Sequence, residues 1–116
     1  MIEKTVINYL TTALSPVPVL MELPEVPTND FPASLVVIER VGGTRENHVN
    51  CASFAFQSYG ATLYDAADLD EKVKAAVDAM VSLDEIGGVY LASNYNHTDT
   101  RTKRYRYQCV YDIYYV

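Results

Sequence analysis

Apolar positions recur along the chain with two distinct periods, and each change of period marks a new element. Ile2, Val6, Tyr9, Leu10 and Ala13 follow helical spacing up to Ser15-Pro16, where the residue before proline is driven out of the helical region. A first helix of about four turns at most is expected. Residues 17–23 read as a short extended segment, which Pro18 confines to a sheet edge or to its own first position. Pro24, Pro27 and Pro32, with Thr28-Asn29-Asp30 between them, form a rigid connector. Alternation then takes over. Residues 35–38 are a short run rich in β-branched side chains, and residues 49–59 place Ala52, Phe54 and Phe56 on one pleat face with Val49, Cys51 and Ala55 on the other. These segments are expected to fold back on one another around Gly42-Gly43 and a polar tip. Because both faces are partly apolar, the pair belongs near the centre of a sheet.

The clearest helical stripe comes next. Thr62 is positioned to cap it, Asp65 and Asp68 complement its positive end, and Leu63, Ala66, Leu69, Val73, Ala76, Val77 and Met80 share one side. Asp68 with Lys72, and Asp70 with Lys74, are i,i+4 pairs expected on the outer side. Gly87-Gly88 is expected to separate this helix from a strand over residues 89–95, and residues 96–100 read as the turn into a last long strand over residues 103–116. That strand puts Tyr105, Tyr107, Cys109, Tyr111, Ile113 and Tyr115 toward the helices, and Arg104, Arg106, Gln108, Val110, Asp112 and Tyr114 on the opposite face. The order predicts a single α+β domain over residues 1–116: a mostly antiparallel sheet of about five strands with two helices packed on one face.

Composition sharpens the functional reading by exclusion. A net charge of −6 argues against specific nucleic-acid binding, which needs a basic footprint. Charge is nonetheless polarised: Arg101, Lys103, Arg104 and Arg106 hold four of the nine basic residues, whereas residues 65–85 carry seven acids against Lys72 and Lys74. Ten tyrosines with no tryptophan suit a sheet used at its rim or as a contact surface. Cys51 and Cys109 fall in mid-strand, where buried free thiols are expected rather than a disulfide. The opening Met1-Ile2-Glu3-Lys4 runs straight into an amphipathic pattern, and no apolar run reaches the roughly 18 residues a membrane span requires. A soluble protein made in the cytoplasm is the expectation.

Catalytic chemistry finds little support. His48-x-x-Cys51 and His97-x-Asp99 lack the companions of a closed zinc site, and neither Gly42-Gly43 nor Gly87-Gly88 precedes the Lys-Ser/Thr of a phosphate loop. Ser53 and Ser58 carry no nucleophile motif, and the acids of the second helix read as a solvated face. In residues 101–107 the arginines and tyrosines alternate, so they point to opposite faces of one strand and cannot serve one nucleic-acid strand together. No catalytic, metal or cofactor-binding residue is assigned. The candidate interface residues are Arg45 and His48 at the hairpin tip and Arg101, Lys103, Arg104 and Arg106 before the last strand, a basic set suited to acids of an adjacent subunit.

The order of elements, together with Leu35-Val-Val-Ile-Glu-Arg-Val-Gly-Gly, Phe54-Ala-Phe-Gln-Ser-Tyr-Gly and the stripe beginning Ala66-Ala-Asp-Leu-Asp-Glu-Lys-Val, resembles the small tail-terminator and head-tail joining (neck) proteins of long-tailed bacteriophages. The closing Thr98-Asp-Thr-Arg-Thr-Lys-Arg-Tyr-Arg-Tyr-Gln before an alternating strand is similar to how that family ends. The resemblance spans nearly the whole chain. It implies a non-enzymatic virion part without cofactor, forming a ring, commonly a hexamer, that caps the tail tube and faces the head connector. Other function classes remain distinguishable: another neck or minor capsid protein, a host binding module that forms no ring, and a small enzyme whose dispersed site would lie in a deep polar pocket.

Overall fold

The structure, a computed structural model, describes residues 1–25, 32–99, 101 and 104–116. Helix α1 (Ile2–Ala13) buries Ile2, Val6 and Leu10, the positions its helical period selects. Strand β1 (Val19–Leu20) follows and pairs in parallel with β2 (Leu35–Glu46), Pro18 accepting a hydrogen bond from the Val36 N–H at 2.9 Å. Proline therefore sits on the sheet edge, where its missing N–H costs no ladder bond. Strand β3 (Val49–Gly60), helix α2 (Leu63–Asp78) with a 3₁₀ turn over Ala79–Ser82, and strands β4 (Ile86–Asn96) and β5 (Tyr105–Tyr115) complete the chain. Thr62 caps α2 as expected, its Oγ1 accepting from the Asp65 N–H at 3.1 Å.

The fold is α+β. Its mixed five-stranded sheet runs β1-β2-β3-β5-β4, and every pair except β1 with β2 is antiparallel. One face carries the main core: Val36, Ile38, Ala52, Phe54, Phe56, Cys109, Tyr111 and Ile113 pack against Val6, Leu10, Leu69, Val73, Val77 and Met80 of the helical layer. The pleat assignments made for β3 and β5 hold, because strict alternation leaves no choice once one face is covered. The proline connector falls largely on residues 26–31, outside the described residues, as does Lys103 at the expected start of the last strand.

Several expectations need correction. The hairpin does not turn at Gly42-Gly43. Both glycines lie within β2, beside a bulge between Arg40 and Gly42, and the turn is Asn47-His48, with φ of 51° and 66°. Two positive φ values in a two-residue loop match the right-handed strand twist. Gly87-Gly88 likewise lies inside β4, which starts at Ile86 and bulges between Ile86 and Gly88. Leu63 leaves the α2 stripe and is 41% exposed, since the first turn overhangs the sheet. Asp70, expected on the outer side, is only 2% exposed. It is held from three directions: Asn94 Nδ2 donates to its Oδ2 at 2.9 Å, Lys74 Nζ lies 3.5 Å away, and the Cys109 thiol faces it from β5. Lys74 also donates to Glu71 at 2.7 Å and to Asn94 Oδ1 at 2.8 Å, so the network ties α2 to strand β4.

Candidate interaction surface

Both helices lie on one side of the sheet, so β2, β3, β5 and β4 present a second face that no described helix covers. Residues opposed across an antiparallel pair share a face, which identifies its members from the register: Leu35 with Tyr59 and Arg106, Val37 with Gln57, Gln108 and Tyr95, Glu39 with Ala55 and Val110, and Ser53 with Asp112 and Tyr90. Leu35, Val37 and Tyr59 form a small apolar cluster of their own, with Leu20 against it.

Several polar groups of this face bond one another. Gln57 Nε2 donates to Gln108 Oε1 at 3.0 Å, and Gln108 Nε2 donates to the Tyr95 hydroxyl. Ser53 Oγ donates to Asp112 at 2.6 Å. Arg106 bonds the Tyr59 hydroxyl at 2.8 Å and the His97 carbonyl at 2.6 Å, with its guanidinium carbon 5.7 Å from the centre of the Tyr59 ring. Toward the other end Tyr90 and Tyr114 meet edge to face at 5.6 Å, and with Asp112 they line a shallow hollow. Across from Cys51, the Tyr114 phenol is pushed above its ordinary range by a hydrogen bond with the Cys51 thiol. The result is a sheet face with a paired polar centre and a tyrosine rim, and covering paired groups costs less desolvation than covering free ones.

The candidate interface residues do not form one patch. Arg45 pairs with Asn50, opposite Tyr115, and His48 sits in the neighbouring turn; Arg106 lies beside Tyr59, next to the Gly60–Tyr105 pair. Nine residues separate these levels, or roughly 30 Å along the strands. Arg101 is exposed and Arg104 is half-buried, its carbonyl accepting from the Asp99 N–H at 3.3 Å, while Lys103 lies outside the described residues. Tyr105 and Tyr107 are on the helix face and Arg106 on the other, which removes the joint stacking and phosphate site as the alternation required.

Charge segregation also looks different in three dimensions. A cleft beside α2 is lined by Tyr64, Asp68, Asp70, Glu71, Asn94 and Tyr107, which brings the acids of α2 to the same end of the molecule as the start of β5. Among the described residues, no basic residue lines that cleft.

Chemistry of the other kinds remains sparse. Cys51 and Cys109 are buried and unlinked, on opposite sheet faces. Burial, reinforced by the Asp70 charge, pushes the Cys109 thiol far above its ordinary range. Among the described residues no group of three or more His, Cys, Asp or Glu side chains could hold a metal ion, and no helix is long and apolar enough to cross a membrane. Sequence reasoning missed the paired far face, although the alternation of Gln57, Gln108 and Tyr95 with core positions carried its signal. No family model matches the chain, and no curated protein matches it either.

Proposed function

We propose that the chain is a structural protein of a long-tailed bacteriophage virion, a tail terminator or head-tail joining component that assembles into a ring at the top of the tail. Its partners in this reading are further copies of itself, commonly six, with the tail tube on one side and the head connector on the other. It is made in the host cytoplasm and acts without cofactor or catalysis.

The observation that supports this most is the second sheet face, which no described helix covers and on which Tyr90, Tyr95 and Tyr114 are exposed. Four long strands of about 11 residues spaced about 4.8 Å apart span roughly 700 Å², near the roughly 800 Å² each partner contributes to a standard interface. Gln57, Gln108, Ser53 and Asp112 are already paired there, which lowers the entropy cost of covering them. Light scattering coupled to size exclusion, followed by electron microscopy of the protein mixed with tail tubes, tests the proposal. A ring alone, or a cap at tube ends, is expected. A chain that stays monomeric at high concentration and leaves tail tubes uncapped ends the reading.

A further inference from the structure

The sheet is open at both sides, and the two open edges match. β4 is an edge strand along its whole length, and β1 shields β2 only at Val36 and Val37, leaving residues 38–46 unpaired on their outer side among the described residues. Following the register across the sheet, Ile38 is level with Phe56, Cys109 and Asn94, and Arg45 with Asn50, Tyr115 and Ile86. The free part of β2 therefore spans the same height as residues 86–94 of β4. Three successive antiparallel pairings leave β2 and β4 running in opposite directions. Identically oriented copies placed side by side would bring β4 of one against β2 of the next as an antiparallel pair, the better hydrogen-bonded arrangement.

The chemistry of the edges points the same way. An exposed edge is normally defended by charge or proline. The eleven residues of β4, Ile-Gly-Gly-Val-Tyr-Leu-Ala-Ser-Asn-Tyr-Asn, contain neither, while Tyr90, Leu91 and Tyr95 are exposed. The open stretch of β2 carries Glu39, Arg40, Arg45 and Glu46, which sum to zero charge, so an uncharged strand meets no net repulsion there.

Two glycines leave the edges accessible. Neither Gly42 nor Gly87 has a positive φ. A Cβ on Gly42 would meet nothing within 4 Å, and one on Gly87 would make only an ordinary contact, 3.7 Å from the Tyr114 carbonyl oxygen. Both positions sit at β-bulges, where glycine is common, and both leave the edge without a side chain that would hold a second backbone away. One such glycine lies on each open edge.

We infer that the outer edge of β4, residues 86–94, pairs antiparallel with the outer edge of β2, residues 38–45, of a second copy of this chain, continuing the sheet from subunit to subunit. Two different edges meeting head to tail is the heterologous contact that closes a ring. The inference rests on the ring reading above and names the contact that builds it.

Gly42→Val, Gly87→Val and Ala92→Lys test it. All three positions are exposed, and Ala92 falls in a bulge outside the β5 register. Each variant is expected to fold with a melting midpoint no lower than wild type at the two glycines, yet to lose assembly by light scattering. In the wild-type assembly, amides of residues 86–94 and 38–45 should exchange more slowly than in the dissociated subunit. If all three variants assemble as wild type does, the edge contact is wrong and the ring reading survives. If only the β4 variants fail, β4 pairs with something other than β2 and the inference is overturned. A particle of two copies joined through β4 also overturns it. Wild type that never assembles, alone or on tail tubes, defeats both.

Discussion

Replacing Asn94 by alanine should destabilise the fold well beyond what an exposed asparagine on an edge strand would suggest. The side chain donates to Asp70 at 2.9 Å and to the Gln108 carbonyl at 3.2 Å, and accepts from Lys74 at 2.8 Å. Without it, a carboxylate that is 2% exposed keeps Lys74, 3.5 Å away, and the Cys109 thiol as its partners among the described residues. A hydrogen bond to a charged group contributes about 1.5–3 kcal/mol. Water can enter where Asn94 stood, so the lower half of that range, about 1.5–2 kcal/mol, is expected. At about 4 °C per kcal/mol for a domain of this size, the midpoint should fall by roughly 6–8 °C. Urea unfolding of Asn94→Ala, Asp70→Ala and the double variant would isolate the interaction, with a coupling of about 1 kcal/mol or more expected for groups in one network. Additivity of the two changes to within about 0.3–0.5 kcal/mol would show that Asn94 does not hold Asp70, and would refute the network.

Val73, fully buried between α2 and the sheet, should not tolerate Val73→Asp, which strands an unpaired carboxylate in the core; Ala75→Asp on the exposed side should cost about 0.5 kcal/mol, and circular dichroism with thermal melts separates the two. Stability should hold through neutral pH and decline above about pH 9. Burial raises the Cys109 thiol above its ordinary 9.0 and the Tyr111 phenol above 10.0, and the Glu71 hydrogen bond raises Lys74 above 10.5. Each group binds its proton more tightly folded than unfolded, so its contribution is complete below the unfolded value and fades as pH rises toward the folded one. Melting midpoints from pH 7 to 11 check this, and a midpoint that rises across pH 9–11 would contradict it. Neither Cys51 nor Cys109 should react quickly with a thiol reagent in the folded protein, and equal labelling rates in native and denatured samples would overturn that expectation.

Local periodicity alone determined both helices, the Thr62 cap, the face assignments of β3 and β5, and hence the α+β class. Each depends on spacing along one element, a property the chain carries before it folds. What it could not determine was which solvent-side positions a second element would reach. Asp70 follows Leu69 by one residue and looks exterior on a helix, until Asn94 on β4 and Cys109 on β5 close over it. The glycine pairs read as turns because glycine usually marks them, yet the turn fell to Asn47-His48 and the glycines to strand bulges, a choice set by pairing register. Tyr64 at the start of α2 and Tyr107 near the start of β5 are about 40 residues apart in sequence and line one cleft only because β5 inserts between β3 and β4. The two open edges are a consequence of strand order alone. Strand order is decided by long-range pairing across the whole sheet, where no single segment holds the information.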